Sequence, residues 1–149
     1  MRAVIQRVTH AKVKIGERQT GAIHDGLLVL VGVHRDDRSN DVSWMADKLV
    51  NLRIFEDDAG LMNLSLLDTG GEMLIVSQFT LLGDCRKGRR PSWSAAADPE
   101  LANTLYLQLV KTVSNFGVQT ATGEFQAMMD VSLVNNGPVT LLLDSRKHF

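Results

Sequence analysis

Three short segments hold residue types that could do chemistry. An apolar run gives way at its end to Ser77-Gln78-Phe79-Thr80-Leu81, which places two hydroxyls and an amide where a buried strand stops. Polar side chains at such a place are pocket material, although hydroxyls at strand ends more often satisfy nearby backbone. The second segment, Asn135-Asn136-Gly137-Pro138-Val139-Thr140, joins two apolar stretches. A plain β-turn explains Asn, Gly and Pro together, and because only about 5–6% of X-Pro bonds in folded proteins are cis, composition alone argues for a trans bond. The third, Gly83 to Trp93, sets Arg86, Lys87, Arg89 and Arg90 within five positions and an indole soon after. That composition suits phosphates and stacked bases, and it suits a solvated loop with a proline stop equally well.

Other chemistries lose their usual support. The chain has no G-x-x-x-x-G-K-[ST] loop, no G-x-G-x-x-G turn, no H-E-x-x-H pair and no G-x-S-x-G elbow. His10, His24, His34 and His148 have no metal-ligand spacing from another ligand type and read as surface or turn residues, so neither a metal nor a cofactor is expected. Cys85 lies beside Arg86 and Lys87, which would favour its thiolate, but no spaced partner identifies a base. An incidental thiol is the simpler reading.

The elements that must position these segments follow from periodicity. Arg2 to Ile15 alternates with a slipped phase: Val4 and Val8 share a face with Arg2 and Gln6, whereas Ala11, Val13 and Ile15 take the other, which predicts a long strand with a bulge. Arg7 falls in register with Ala3 and Ile5 on the inward face, where a guanidinium needs partners, unless it sits exposed on an edge. Strands are predicted over Arg18 to Ile23 and Leu27 to Val33, followed by a helix capped by Ser39, Asn40 or Asp41 with Val42, Met45, Leu49 and Leu52 on one face. A short strand near Arg53 to Phe55 and breakers at 56–60 and 68–71 lead to a buried strand over Glu72 to Gln78. Asp98, Pro99 and Glu100 start a second helix, Leu101, Leu105, Leu109 and Val113 line it, and Gly117 stops it. Strands return at Val118 to Thr120, Met128 to Val134 and Val139 to Leu143, and the tail Arg146 to Phe149 is expected to fray. The fold class is mixed α/β in the order β-β-β-α-β-β-α-β-β-β, with two main helices on one side of a layered sheet system.

Composition bounds the rest. A length of 149 residues predicts one domain, 1–149, and 44% hydrophobic with 22% charged residues is ordinary globular composition. The longest apolar run, Gly26 to Val33, is far too short for a membrane span, and a lone cysteine suits the cytosol. A net charge of −1 leaves nucleic-acid contact to local patches.

With S-Q-F-T-L at 77–81, R-P-S at 90–92, T-G-E-F-Q-A-M-M at 122–129, V-S-L-V-N-N-G-P-V-T at 131–140 and the opening M-R-A-V-I-Q-R-V, the sequence resembles the D-aminoacyl-tRNA deacylases from Met1 to about Asp144. Asn136 stands where many relatives have Asp, and Gln126 where many have Gly. The resemblance implies an esterase acting on D-aminoacyl-tRNA, and a homodimer with active sites at the subunit interface. Ser77, Gln78, Phe79 and Thr80 would line the pocket for the terminal adenosine and the ester, with Phe125, Met129, Asn135 and Thr140 in support. Gly137-Pro138 would be cis and would enter the partner's site, its carbonyls meeting the amino group and crowding the space of an L side chain, while Arg7 would lock that loop. A missing triad fits such a reaction: the ester is already activated, and a placed water, backbone donors and the 2′-hydroxyl of the RNA can suffice, leaving Thr80 a pocket wall. Glycyl-tRNA would be accepted in part. The competing reading is a non-catalytic RNA- or DNA-binding homodimer that uses the basic loop 86–93.

Overall fold

The computed structural model describes residues 1–149. Its organising element is a long first strand, β1 (Arg2–Ile15), which pairs antiparallel with β3 (Gly26–Gly32) along its first half and with β2 (Arg18–Ile23) along its second. The phase slip in the sequence is the reason one strand can serve two neighbours. Register shifts at Val8 let Ala3 and Ile5 face one core and Val8, Ala11 and Val13 the other. A last strand, β8 (Asp130–Asp144), runs antiparallel along nearly all of β1.

Beyond β3 the sheet continues in parallel through β6 (Glu72–Ser77) and β7 (Thr120–Thr122), giving the order β2-β1-β3-β6-β7. β3 and β6 are covered on both faces, which explains their uninterrupted apolar sequences. On one side Leu27, Val29, Val31, Met73 and Ile75 meet the helices α1 (Ser39–Asn51) and α3 (Pro99–Asn115); on the other Leu28, Leu74 and Val76 fill the inside of the curled sheet. The curl brings β2 against β7 so closely that a β-carbon at Gly21 would collide with the carbonyl of Thr122.

Several boundaries differ from the sequence expectation. The helix α1 begins just after Arg38, because Asp41 sits in its first turn and accepts the Arg38 N–H at 2.9 Å. The short strand is Phe55–Glu56 (β4), and it pairs with an unforeseen β5 (Met62–Leu64). The expected breaker at 68–71 holds the end of a one-turn helix, α2 (Leu66–Thr69), whose Ser65 hydroxyl accepts the Asp68 N–H. β7 starts at Thr120 instead of Val118.

The largest difference lies in β8, which is one strand where two joined by a turn were expected. One residue, Arg7, separates Gln6 from Val8, whereas four, Asn136 to Val139, separate their partners Thr140 and Asn135. The segment is a wide bulge inside a continuous strand, and the tertiary pairing with β1 overrides the local turn preference.

The tail is tied at its start. The Met1 ammonium bonds Asp37 and Ser145 at 2.7 Å each, and Arg146 reaches the same Asp37 at 3.4 Å. No helix is long and apolar enough to cross a membrane.

Candidate active site

Parallel strands β3 and β6 end side by side, with Val31 opposite Ser77. Beyond the carboxyl ends of such strands the chain must diverge, and the crevice left there is where open α/β sheets bind ligands. Here it is a cavity of about 600 Å³, within the usual size for a small-molecule site. Val31, Val33, Val76, Ser77 and Gln78 form its floor, Pro99, Ala102 and Tyr106 of α3 one wall, and Phe125 to Met129 another. The pairing of Val31 with Ser77 thus brings three distant stretches of sequence around one space.

The walls are apolar and the floor carries the polar groups. Phe79 opens a 3-10 turn (Phe79–Leu82) that follows β6, and the residue is 56% exposed at the cavity rim. Gln78 donates its amide to the Thr80 hydroxyl. The Thr80 side chain is exposed and is not part of the cavity wall. On the opposite wall the Tyr106 hydroxyl donates to the Ile75 carbonyl at 2.8 Å, and burial pushes its pKa up to about 12 despite a hydrogen bond with Thr122. Tyr106 therefore stays a neutral donor at physiological pH and fixes α3 to β6. Its ring lies 6.2 Å from that of Phe125.

Gln126 bends the other wall with φ of 63°, a left-handed conformation that is unfavourable for a residue with a long side chain.

Gly137 and Pro138 lie elsewhere. They are exposed at the β8 bulge, they are joined by a cis bond, and neither lines the cavity of its own chain. The bulge is wired from beneath by Arg7, whose residue is only 4% exposed. Its guanidinium donates to the Ile54 carbonyl at 2.6 Å and to the Asn136 carbonyl at 3.3 Å, and lies 3.7 Å from the Glu56 carboxylate. The Asn135 amide bridges the bulge by donating to the carbonyls of Arg7 and Val139, both at 2.9 Å, and Thr140 bonds Gln6 at 3.3 Å. A β-carbon at Gly137, which has φ of 111°, would press into the Arg7 guanidinium. The phase of β1 left Arg7 open between an inward and an edge-exposed position; it is inward, and the bulge supplies the partners that such an arginine requires.

Arg86, Lys87, Arg89 and Arg90 are exposed on a loop closed by the bridge between Asp84 and Ser92. Sequence inspection missed Tyr106, Ala102 and Val33. The signal available for them was architectural: two adjacent parallel strands ending together, with a helix start overhead.

The sequence profile of the D-Tyr-tRNA(Tyr) deacylase family matches residues 4–144. Curated relatives named D-aminoacyl-tRNA deacylase from Thermosipho africanus (strain TCF52B) and Clostridioides difficile (strain 630) are 60% and 61% identical over 149 residues, covering all of both chains. Among solved structures, the c-Myc DNA unwinding element binding protein superposes with a TM-score of 0.90 at 37% identity over 97% of this chain and 98% of that one. A probable eukaryotic D-amino acid tRNA deacylase superposes with a TM-score of 0.81 over 95% and 97%, and at 17% identity it speaks for the fold alone. With the profile covering nearly the whole chain and the identities this high, the chain belongs to the D-aminoacyl-tRNA deacylase family.

Proposed function

We propose that the protein hydrolyses the ester of D-aminoacyl-tRNA, releasing D-amino acid and tRNA, and works as a homodimer in which each subunit's Gly137–Pro138 bulge completes the other's cavity. One observation carries this reading: the bulge is rigidly anchored yet stands outside the cavity of its own chain. A twofold axis beside β8 would bring each bulge to the other copy. β8 pairs only with β1, and its exposed Val134 and Leu142 flank the bulge, as an isologous interface requires.

In this arrangement the apolar walls hold the terminal adenosine, with Ser77 and Gln78 at the ester. The first internal bond of the 3-10 turn runs from the Leu81 N–H to the Gln78 carbonyl, so the amides of Phe79 and Thr80 lie outside it and are free to serve a developing oxyanion. Donors of that kind contribute roughly 2.7–4 kcal/mol. Thr80 is a poor nucleophile because its hydroxyl is partnered by an amide that cannot take a proton. Water attacks, and the neighbouring 2′-hydroxyl of the substrate assists. The Gly137 and Pro138 carbonyls accept from the substrate's amino group and occupy the volume of an L side chain, so selection works by collision. Glycine has no side chain to collide and is hydrolysed in part. A cytosolic location, with the aminoacyl-tRNA pool, goes with this reading.

The test is release of D-tyrosine from D-tyrosyl-tRNA by the purified protein, beside L-tyrosyl-tRNA, glycyl-tRNA and a D-tyrosyl-tRNA ending in 2′-deoxyadenosine. Rapid release from the first, slow from the third and little from the others is expected. Salt-sensitive RNA or DNA binding with no turnover would instead favour the binding-module reading.

A further inference from the structure

The basic loop has no part in the chemistry above, yet it is neither loose nor remote. Backbone bonds from the Asp84 N–H to the Ser92 carbonyl at 2.8 Å and from the Ser92 N–H to the Asp84 carbonyl at 3.0 Å close it at the neck. Immediately beyond the neck, Trp93 packs edge-on against Phe79 with ring centroids 5.3 Å apart, and Phe79 lines the cavity. The chain then returns through Ala97, another residue of the cavity wall. The loop is therefore an outgrowth of the cavity rim.

Its charges are unequal. Arg86 is held by Asp84, with its guanidinium 2.6 Å from the carboxylate, and that pairing pulls the Asp84 pKa far down. Lys87, Arg89 and Arg90 make no ion pair and are exposed. In a chain of net charge −1, three unpaired cations on one clamped loop form a local field that a polyanion would feel and the bulk charge would not supply.

Reach fixes which polyanion segment is touched. A chain spans at most about 3.3–3.6 Å per residue, so the tip of this loop, four residues from either side of the neck, lies within roughly 14 Å of it. The cations thus stand a few nucleotides from a terminal adenosine seated in the cavity.

We infer that Lys87, Arg89 and Arg90 bind the backbone phosphates of the tRNA next to its 3′ end, steering the acceptor end into the cavity. This rests on the deacylase reading of that cavity. The three residues act on binding and leave the ester chemistry to the floor. Because phosphate contacts carry no base information, the loop serves every tRNA alike.

The experiment replaces all three in the full-length protein (Lys87→Gln, Arg89→Gln, Arg90→Gln) and compares kcat/KM on D-tyrosyl-tRNA with that on D-tyrosyl-adenosine, which has no phosphate for the loop to hold. Fluorescence anisotropy with uncharged tRNA and with duplex DNA, over a salt series, is run alongside. A drop of about tenfold or more on the tRNA substrate at low salt is expected, with the adenosine substrate unchanged and the salt slope of tRNA binding flattened by about 2–3. An unchanged rate on both substrates, or an equal loss on both, overturns the inference. So does lost DNA binding with tRNA binding intact. Were the native protein to hydrolyse neither substrate, the deacylase reading would fall while the tRNA-binding arm still decided the loop.

Discussion

The cavity and the β8 bulge are built in opposite ways. The cavity is an open space between apolar walls, with twelve hydrophobic residues among the sixteen that line it and no charged one. The bulge is braced by polar groups instead: a buried guanidinium, a side-chain amide and backbone carbonyls are bonded together beneath it, beside a small polar recess lined by Arg7, Glu56 and Asn136. A cavity of that kind accepts many shapes, since apolar contact discriminates weakly between side chains. A bulge braced in that way can reject a shape, because displacing it breaks several hydrogen bonds at once. Under the proposed function, breadth belongs to the cavity and strictness to the bulge, and a stereoselective site needs both.

The largest effect is expected at the cavity. Ala127→Trp puts an indole into a wall residue that lies outside both buried core clusters. Hydrolysis should fall by more than roughly a hundredfold through misplacement of the ester, while the melting temperature changes little. A large fall in stability would show the cavity to be structural packing.

At the bulge the signature should be reversed. Arg7→Lys keeps the charge but loses the planar fork, so an ammonium cannot serve the carbonyls of Ile54 and Asn136 as the guanidinium does. The folded state should lose about 2–3 kcal/mol, measured by urea unfolding, from buried carbonyls left without donors. The D-to-L ratio of kcat/KM should fall roughly tenfold or more as the wedge loosens. An intact ratio would separate the arginine from selectivity.

Thr80→Ala sharpens the contrast between wall and chemistry. Because the threonine is exposed and tied only to Gln78, kcat should stay within about threefold of the native value in single-turnover assays. A loss of several orders of magnitude would make it the nucleophile. The smallest effect belongs to Gln126→Gly, which relieves the left-handed backbone and should raise stability by up to about 1 kcal/mol by thermal unfolding, the relief of strain exceeding the added freedom of the unfolded chain.

Much of this was legible in the residues themselves. The phase slip of β1 announced a long strand with a bulge, and Asp98, Pro99 and Gly117 bounded α3, with Asp98 accepting the Leu101 N–H at 3.0 Å. Those signals are local, set by capping chemistry and alternation. The family motifs placed Phe125 and Met129 beside Ser77 and Gln78, and all four line the cavity. The continuity of β8 was not legible, because Asn, Gly and Pro favour turns locally while the decisive pairing is with β1, more than a hundred residues away. Tyr106 was overlooked for a similar reason: on a helix it reads as one more core ring, and only the Ile75 carbonyl opposite gives its hydroxyl a purpose.

The most direct measurement uses a mixed dimer isolated through two different C-terminal tags, one protomer carrying Ala127→Trp and the other Arg7→Lys. Its only open cavity then belongs to the protomer with the loosened bulge, while the intact bulge belongs to the protomer with the blocked cavity. If the bulge acts across the interface, this dimer shows the native D-to-L ratio at about half the native rate per dimer. A ratio as relaxed as that of the Arg7→Lys homodimer, or a protein that is monomeric at working concentration, would contradict it.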